Sequence, residues 1–219
     1  MRIDIITCAP APLEHLFSYG VIKRALDKGI AAVHIHNLRD YGIGKHKKID
    51  DAPYGGEAGM VLMLEPIVTC IEKLQKEHTY DELIYLAPEG EVLTQSIANQ
   101  LSLQQNLLFL CGHYKGIDER ICDCFPIRKI SIGEYILPGG ELPAAILAQS
   151  IIRLLPGAIS DETSALNDSF QDGLIAPPVF TRPAVFNELE VPPELRSGDK
   201  LKITQWRTQQ IQLRTLKKS

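Results

Sequence analysis

Over residues 1–155, short and nearly unbroken apolar runs alternate with longer stretches in which apolar positions recur every three or four residues. The short runs predict strands at Ile3–Thr7, Ala32–Asn37, Leu83–Ala87, Leu107–Cys111 and Arg128–Ile132. The longer ones predict helices at Leu13–Lys28 (stopped by Gly29), Leu64–His78, Leu93–Leu101, Gly116–Cys124 and Leu142–Leu155. Strands that are apolar on both sides are covered on both sides. The alternation therefore predicts an α/β fold, a mostly parallel sheet with helices on both faces. After Pro156-Gly157 the pattern stops. Residues 158–175 are polar and acidic and read as a flexible linker, so the α/β domain spans 1–157. Residues 176–219 carry Pro177, Pro178, Pro183, Pro192 and Pro193, then a helix over Lys200–Lys217 with Ser197 or Asp199 as its cap. They form a small α-helical C-terminal domain.

Three of the strands run into glycine-bearing loops: Pro88-Glu89-Gly90, Gly112-His113-Tyr114-Lys115-Gly116, and Gly133 to Gly140 with Tyr135, Ile136 and Leu137 between. In an open α/β sheet, ligands bind at the carboxyl ends of strands, and glycine lets backbone approach a ligand closely. No loop carries the dinucleotide or the P-loop fingerprint, and few basic residues serve them, so a polyphosphate is not the expected ligand. Apolar walls and backbone polar groups suit a flat heterocycle with a compact polar tail. Each glycine taken singly also fits a tight strand–helix turn.

Composition changes this picture in two ways. The net charge of −4 argues weakly against a nucleic-acid partner. The stretch from Arg196 to Ser219, however, carries seven basic residues against Asp199 alone, and Lys45, His46, Lys47 and Lys48 form a second basic cluster. A basic tail on an acidic body suits a polyanion, or else a solvated helix face. The five cysteines are scattered, with no CxxC or HExxH pair, so neither zinc nor a disulfide framework is expected and no metal ligands are assigned. No apolar stretch reaches membrane-spanning length and no signal-peptide core follows Met1, which reads as a cytoplasmic protein without a membrane partner.

The stretches RIDIIT, HNLRDY, KHKKIDDAPYGGEAGM, CGHYKGIDER, ISIGEYILPGGELPA, RLLPG, DSFQDGL, PPVFTRP and WRTQQIQLRT lie in this order along nearly the whole chain. With them the chain resembles the bacterial tRNA (guanine-N1)-methyltransferases of the TrmD type, within the SPOUT group. The resemblance implies a deep trefoil knot through residues around 86 to 140, a rare topology. It implies S-adenosylmethionine as cofactor, held at Leu86, Pro88, Gly90, Gly112, Ile132, Gly133, Glu134, Tyr135, Ile136, Leu137, Gly139 and Gly140. It also implies a homodimer that shares its active sites, the anticodon arm of tRNA as partner, and Mg2+ held jointly with substrate.

The implied reaction methylates N1 of the guanosine that follows the anticodon. Neutral guanine carries a proton on N1, so a base must remove it, and charge developing toward O6 favours a fixed cation. The resemblance assigns Asp168 as the base, where the residues alone favour a helix N-cap. It assigns Arg153, which cannot lose its charge, to O6, where the residues alone favour a helix C-terminal cation. It assigns Asp50, Tyr54, Gly59, Met60, Lys115, Arg182, Trp206 and Arg207 to the tRNA; blandly read, 50–60 is a connecting loop. The chain departs from the family pattern at Glu57 (usually glycine), at His113-Tyr114-Lys115 (usually Arg-Tyr-Glu) and at Asp199-Lys200 (usually Asn-His). Lys115 thereby inverts a charge beside the expected substrate base. Two alternatives stand beside this reading: a protein of the same fold that binds RNA without catalysis, and a methyltransferase for another RNA base.

Overall fold

The computed structural model describes residues 1–159 and 168–218, and the chain divides into two compact units, Met1–Ser160 and Asp161–Ser219. Of the linker expected over 158–175, residues 160–167 lie outside the described residues.

The first unit is built on β1 (Arg2–Thr7), β2 (Ala32–Asn37), β5 (Glu82–Val92), β6 (Asn106–Cys111) and β7 (Ile127–Ser131). They form a sheet in the order β2-β1-β6-β5-β7, and every neighbouring pair is parallel. Successive residues of a strand face opposite sides. Ile3, Ile5, Ile84, Leu86, Leu107 and Phe109 accordingly pack on one side with α1 (Pro10–Leu16), α2 (Gly20–Asp27), α4 (Gln95–Ser102) and α6 (Glu141–Ile152). Ile6, Leu83, Tyr85, Leu108 and Leu110 pack on the other with α3 (Leu64–Glu77) and α5 (Ile121–Cys124). Both faces of the central strands β1 and β6 are covered, which is why they are largely apolar, while the edge strands β2 and β7 carry His34, His36, Arg128 and Lys129 and are only partly buried. Asp4 is a buried exception. Burial alone would raise its carboxyl, but hydrogen bonds from His36 and Arg2 outweigh it and hold the group at about 2.

Three expected elements differ. The helix expected over Leu13–Lys28 is two helices, because Gly20 enters the left-handed region at φ +68° and the chain turns between them. The helix expected over Gly116–Cys124 is reduced to Ile121–Cys124. Its first residues instead extend along β4 (Val61–Leu62), with Leu62 N donating to Gly116 O and Asp118 N to Leu62 O, both at 3.0 Å. The strand expected over Leu83–Ala87 continues to Val92. It pairs with β7 up to Leu86↔Ile130, bulges through 87–90, and rejoins at Glu91↔Ile130. β3 (Asp50–Asp51) pairs antiparallel with β4, so 52–60 is the connection of a hairpin.

In the second unit α8 (Lys200–Leu216) is capped by Asp199, whose carboxylate accepts from Leu201 N and Lys202 N. It follows the short α7 (Pro193–Arg196). A hairpin absent from the sequence expectations, β8 (Val185–Phe186) with β9 (Leu189–Glu190), turns through Asn187 and Glu188, both at positive φ. Ile175 N donates to Thr215 Oγ1 at 3.0 Å and Phe180 meets Trp206 edge-on.

Candidate active site

The carboxyl ends of β5, β6 and β7 open into one cleft of about 340 Å3. Three features of the chain bring the loops there. The bulge in β5 throws Pro88 and Glu89 out of the ladder. The turn after β6 is locked to the start of α6, with Gly140 N donating to Gly112 O at 2.8 Å and His113 bridging to Gly139. After β7, Ser131 Oγ donates to Gly133 O at 3.0 Å, and Tyr135 Oη donates to Ile132 O at 3.2 Å. Two glycines are required sterically. A Cβ on Gly140 would stand 2.8 Å from Cys111 Cα, and one on Gly112 would stand 2.8 Å from Tyr85 Oη.

Of the expected cofactor residues, Leu86, Pro88, Gly112, Ile132, Gly133, Tyr135, Ile136, Leu137, Gly139 and Gly140 line this cleft. Gly90 and Glu134 are not among its lining residues. Gly90 has a different necessity: a Cβ there would lie 2.6 Å from Ile130 N, so it permits β5 to rejoin β7 after the bulge. Tyr135 and Ile136 are exposed beside the opening. Sequence reasoning missed Tyr85, whose buried hydroxyl is pushed up to about 12 by desolvation, and Glu119, which shares Lys129 with Glu89 at 2.7 and 3.2 Å.

Lys115 lines the cleft and is tied to the 52–60 connection in three ways. Its backbone N donates to Met60 O at 3.0 Å, its side chain packs against Gly59, and its ammonium pairs with Glu57. The charge inversion expected at Lys115 is thus matched by a carboxylate at Glu57, another of the three departures from the family pattern. Tyr54 is fully exposed, and Asp50 belongs to β3. Arg153 is the C-cap residue of α6, where a cation complements the helix dipole. Asp168 opens a stretch of bends and turns over 168–173 and does not start a helix, so the N-cap alternative has no helix to cap. Arg182, Trp206 and Arg207 belong to the second unit, the last two within α8.

A further group escaped sequence reasoning. Cys8 follows β1, His113 follows β6 and Glu141 opens α6, and one ligand atom of each lies within 4.8 Å of the others. The carboxylate of Glu141 is buried, accepting from Thr7 Oγ1 on one oxygen and meeting His113 Nε2 at 3.0 Å on the other. These residues are far apart in the chain, and no spacing rule links them. Strands β1 and β6 are sheet neighbours, and that adjacency brings the three side chains together.

The family model described as tRNA (Guanine-1)-methyltransferase TrmD matches residues 1–219. Proteins named tRNA (guanine-N(1)-)-methyltransferase from Christiangramia forsetii and Bacteroides thetaiotaomicron are each 54% identical over 217 residues, 99% of this chain and 96% of theirs. One of the same name from Flavobacterium johnsoniae is 53% identical over 207 residues, covering 94% of this chain and 92% of its own. With a parallel sheet whose strand ends converge on a glycine-walled cleft, and with likeness running the full length of both partners, the chain belongs to the tRNA (guanine-1)-methyltransferase family of the TrmD type.

Proposed function

We propose that this protein transfers a methyl group from S-adenosylmethionine to N1 of the guanosine at position 37, next to the anticodon of tRNA. The observation that carries the reading is the cleft in which three strand-end loops meet, in a chain of this family. Its size and its mixture of backbone polar groups with Leu86, Ile132, Tyr135, Ile136 and Leu137 fit an adenosine bearing a short charged tail. When bound, the cofactor supplies an electrophilic methyl on a sulfonium.

The remaining work falls to the chain. Gly112, Gly139 and Gly140 bring main-chain groups against the ligand, and the apolar loop 135–137 excludes water. Asp168 accepts the N1 proton as the bond to carbon forms, and Arg153 faces the charge developing at O6. Residues 86–140 form the trefoil knot that shapes the cleft. Residues 158–175 act as the linker, and 176–219 as the domain that grips the anticodon arm through Arg182, Trp206 and Arg207. A homodimer in the cytoplasm completes each site with the linker of the other subunit. The described residues do not fit a Mg2+ site of the protein's own, since their one convergent cluster contains a thiol and an imidazole, which magnesium disfavours. No step here depends on that ion. Among the described residues, no helix is long and apolar enough to cross a membrane.

A tritiated-methyl assay with transcripts carrying G or A at position 37 tests the reading. Label enters the G transcript and not the A transcript, and digestion yields 1-methylguanosine. No transfer to either transcript favours the RNA-binding alternative, and a different modified nucleoside favours another target base.

A further inference from the structure

We propose that Cys8, His113 and Glu141 form a binding site for a divalent transition-metal ion, Zn2+ by the chemistry of the donor set, beside the cleft and independent of the methyl-transfer reading. Thiolate sulfur, imidazole nitrogen and carboxylate oxygen together are a zinc set, and magnesium and calcium prefer oxygen alone. The three donor atoms lie within 4.8 Å of one another, and His113 Nε2 and Glu141 Oε2 are 3.0 Å apart. In a tetrahedral zinc site, donors at about 2.0–2.3 Å from the metal stand about 3.3–3.6 Å apart. Side-chain shifts of about 1 Å therefore close the site without moving a strand.

The surroundings are those a metal ligand needs. Thr7 Oγ1 accepts from Ala9 N at 2.9 Å and donates to Glu141 Oε1, which fixes the carboxylate and leaves Oε2 directed at His113. Partners of this kind orient the ligand and are worth about 10–100-fold in affinity. The backbone bridge between His113 and Gly139 fixes the main chain that carries the imidazole. The Glu141 side chain is 8% exposed and His113 is 23% exposed, so a cation here is largely shielded from water while the site stays reachable. His113 also lines the cleft, which leaves the fourth coordination position to a water or to a group in the cleft. On binding, the Cys8 thiol releases its proton to solvent as the sulfur–metal bond forms.

The test titrates Co2+, a spectroscopic substitute for Zn2+, into chelator-treated full-length protein without cofactor or tRNA. One equivalent produces tetrahedral d–d bands and a thiolate-to-cobalt charge-transfer band, and Zn2+ displaces it and raises Tm. Cys8→Ser abolishes the charge-transfer band while keeping the shape of the side chain. His113→Ala weakens Co2+ more than about tenfold and Thr7→Val about 10–100-fold. Cys124→Ser, which removes the exposed thiol, changes neither band nor affinity. If Cys8→Ser fails to fold by near-ultraviolet circular dichroism, the His113→Ala titration decides. The proposal is overturned by the absence of a charge-transfer band in the wild type, by its persistence in Cys8→Ser, or by His113→Ala binding as tightly as the wild type. Any of these leaves Thr7–Glu141–His113 as a hydrogen-bonded triad only. Because no methyl transfer is read, the metal site and the enzyme activity fail independently.

Discussion

Replacing Gly140 by alanine isolates the geometric requirement of the cleft from every other effect. Gly140 has φ −82° and ψ −1°, a negative-φ conformation open to alanine, so no left-handed backbone strain enters. The penalty is steric. The new Cβ stands 2.8 Å from Cys111 Cα and 2.9 Å from Gly112 N, against a comfortable separation of about 3.5–4.0 Å. Both obstacles are main chain, so no rotamer change relieves them. The start of α6 must move about 1 Å from the end of β6, stretching the 2.8 Å bond from Gly140 N to Gly112 O. Overpacking of this kind costs about 2–3 kcal/mol, or about 5–10 °C in Tm for a chain of this size. S-adenosylmethionine should bind at least about tenfold more weakly, since two of its three walls separate. Calorimetric titration and a thermal scan measure both quantities. An unchanged Tm with cofactor Kd within twofold of the wild type would refute the argument that these two loops touch.

Gly90→Ala, at a position outside the cleft lining, meets the main chain of Ile130 at 2.6 Å, so it should lower Tm comparably while weakening cofactor less than Gly140→Ala does; the reverse ranking in titration counts against the bulge assignment. Asp168→Ala should keep cofactor affinity and lose turnover in single-turnover methylation, and collapse of affinity would mark Asp168 as structural. Asp4, held at about 2 against an ordinary 3.8, contributes about 2 kcal/mol at neutral pH, fully present above pH 4 and lost as pH falls through 2. Urea midpoints between pH 5 and 2 should fall more steeply for wild type than for Asp4→Asn, and parallel slopes would contradict the pairing with Arg2 and His36. Arg207→Ala should weaken tRNA binding and lower the slope of log K against log salt by about one; an unchanged slope removes Arg207 from the phosphate contacts.

Much of the first unit was legible in the sequence because two-sided burial leaves its mark residue by residue. A strand such as Asn106–Cys111, with Leu107 and Phe109 facing one core and Leu108 and Leu110 the other, is apolar at every position after Asn106. Helix breaks were less legible. Nothing in the apolar periodicity of 13–28 marks the positive φ of Gly20, and the ladder to β4 claims residues 116–118 from a segment that reads locally as helix. Ten of the twelve expected cofactor positions line the cleft because their motifs sit at strand ends, and strand ends of a parallel sheet share an edge. Gly90 shows the limit of that logic, since a glycine at a strand end can serve another strand as readily as a ligand.

By itself, then, the sequence determined the parallel α/β class, the edge at which the loops gather and, through its long motifs, the family. Tertiary structure alone decided which side chains meet. The pairing of Glu57 with Lys115, and the meeting of Cys8 with His113 and Glu141, follow from a hairpin folding onto the β6 loop and from β1 lying beside β6. Periodicity records how each residue relates to the core, which is a local property. Contacts between distant strand ends depend on sheet order, and sheet order leaves no periodic signal in the chain.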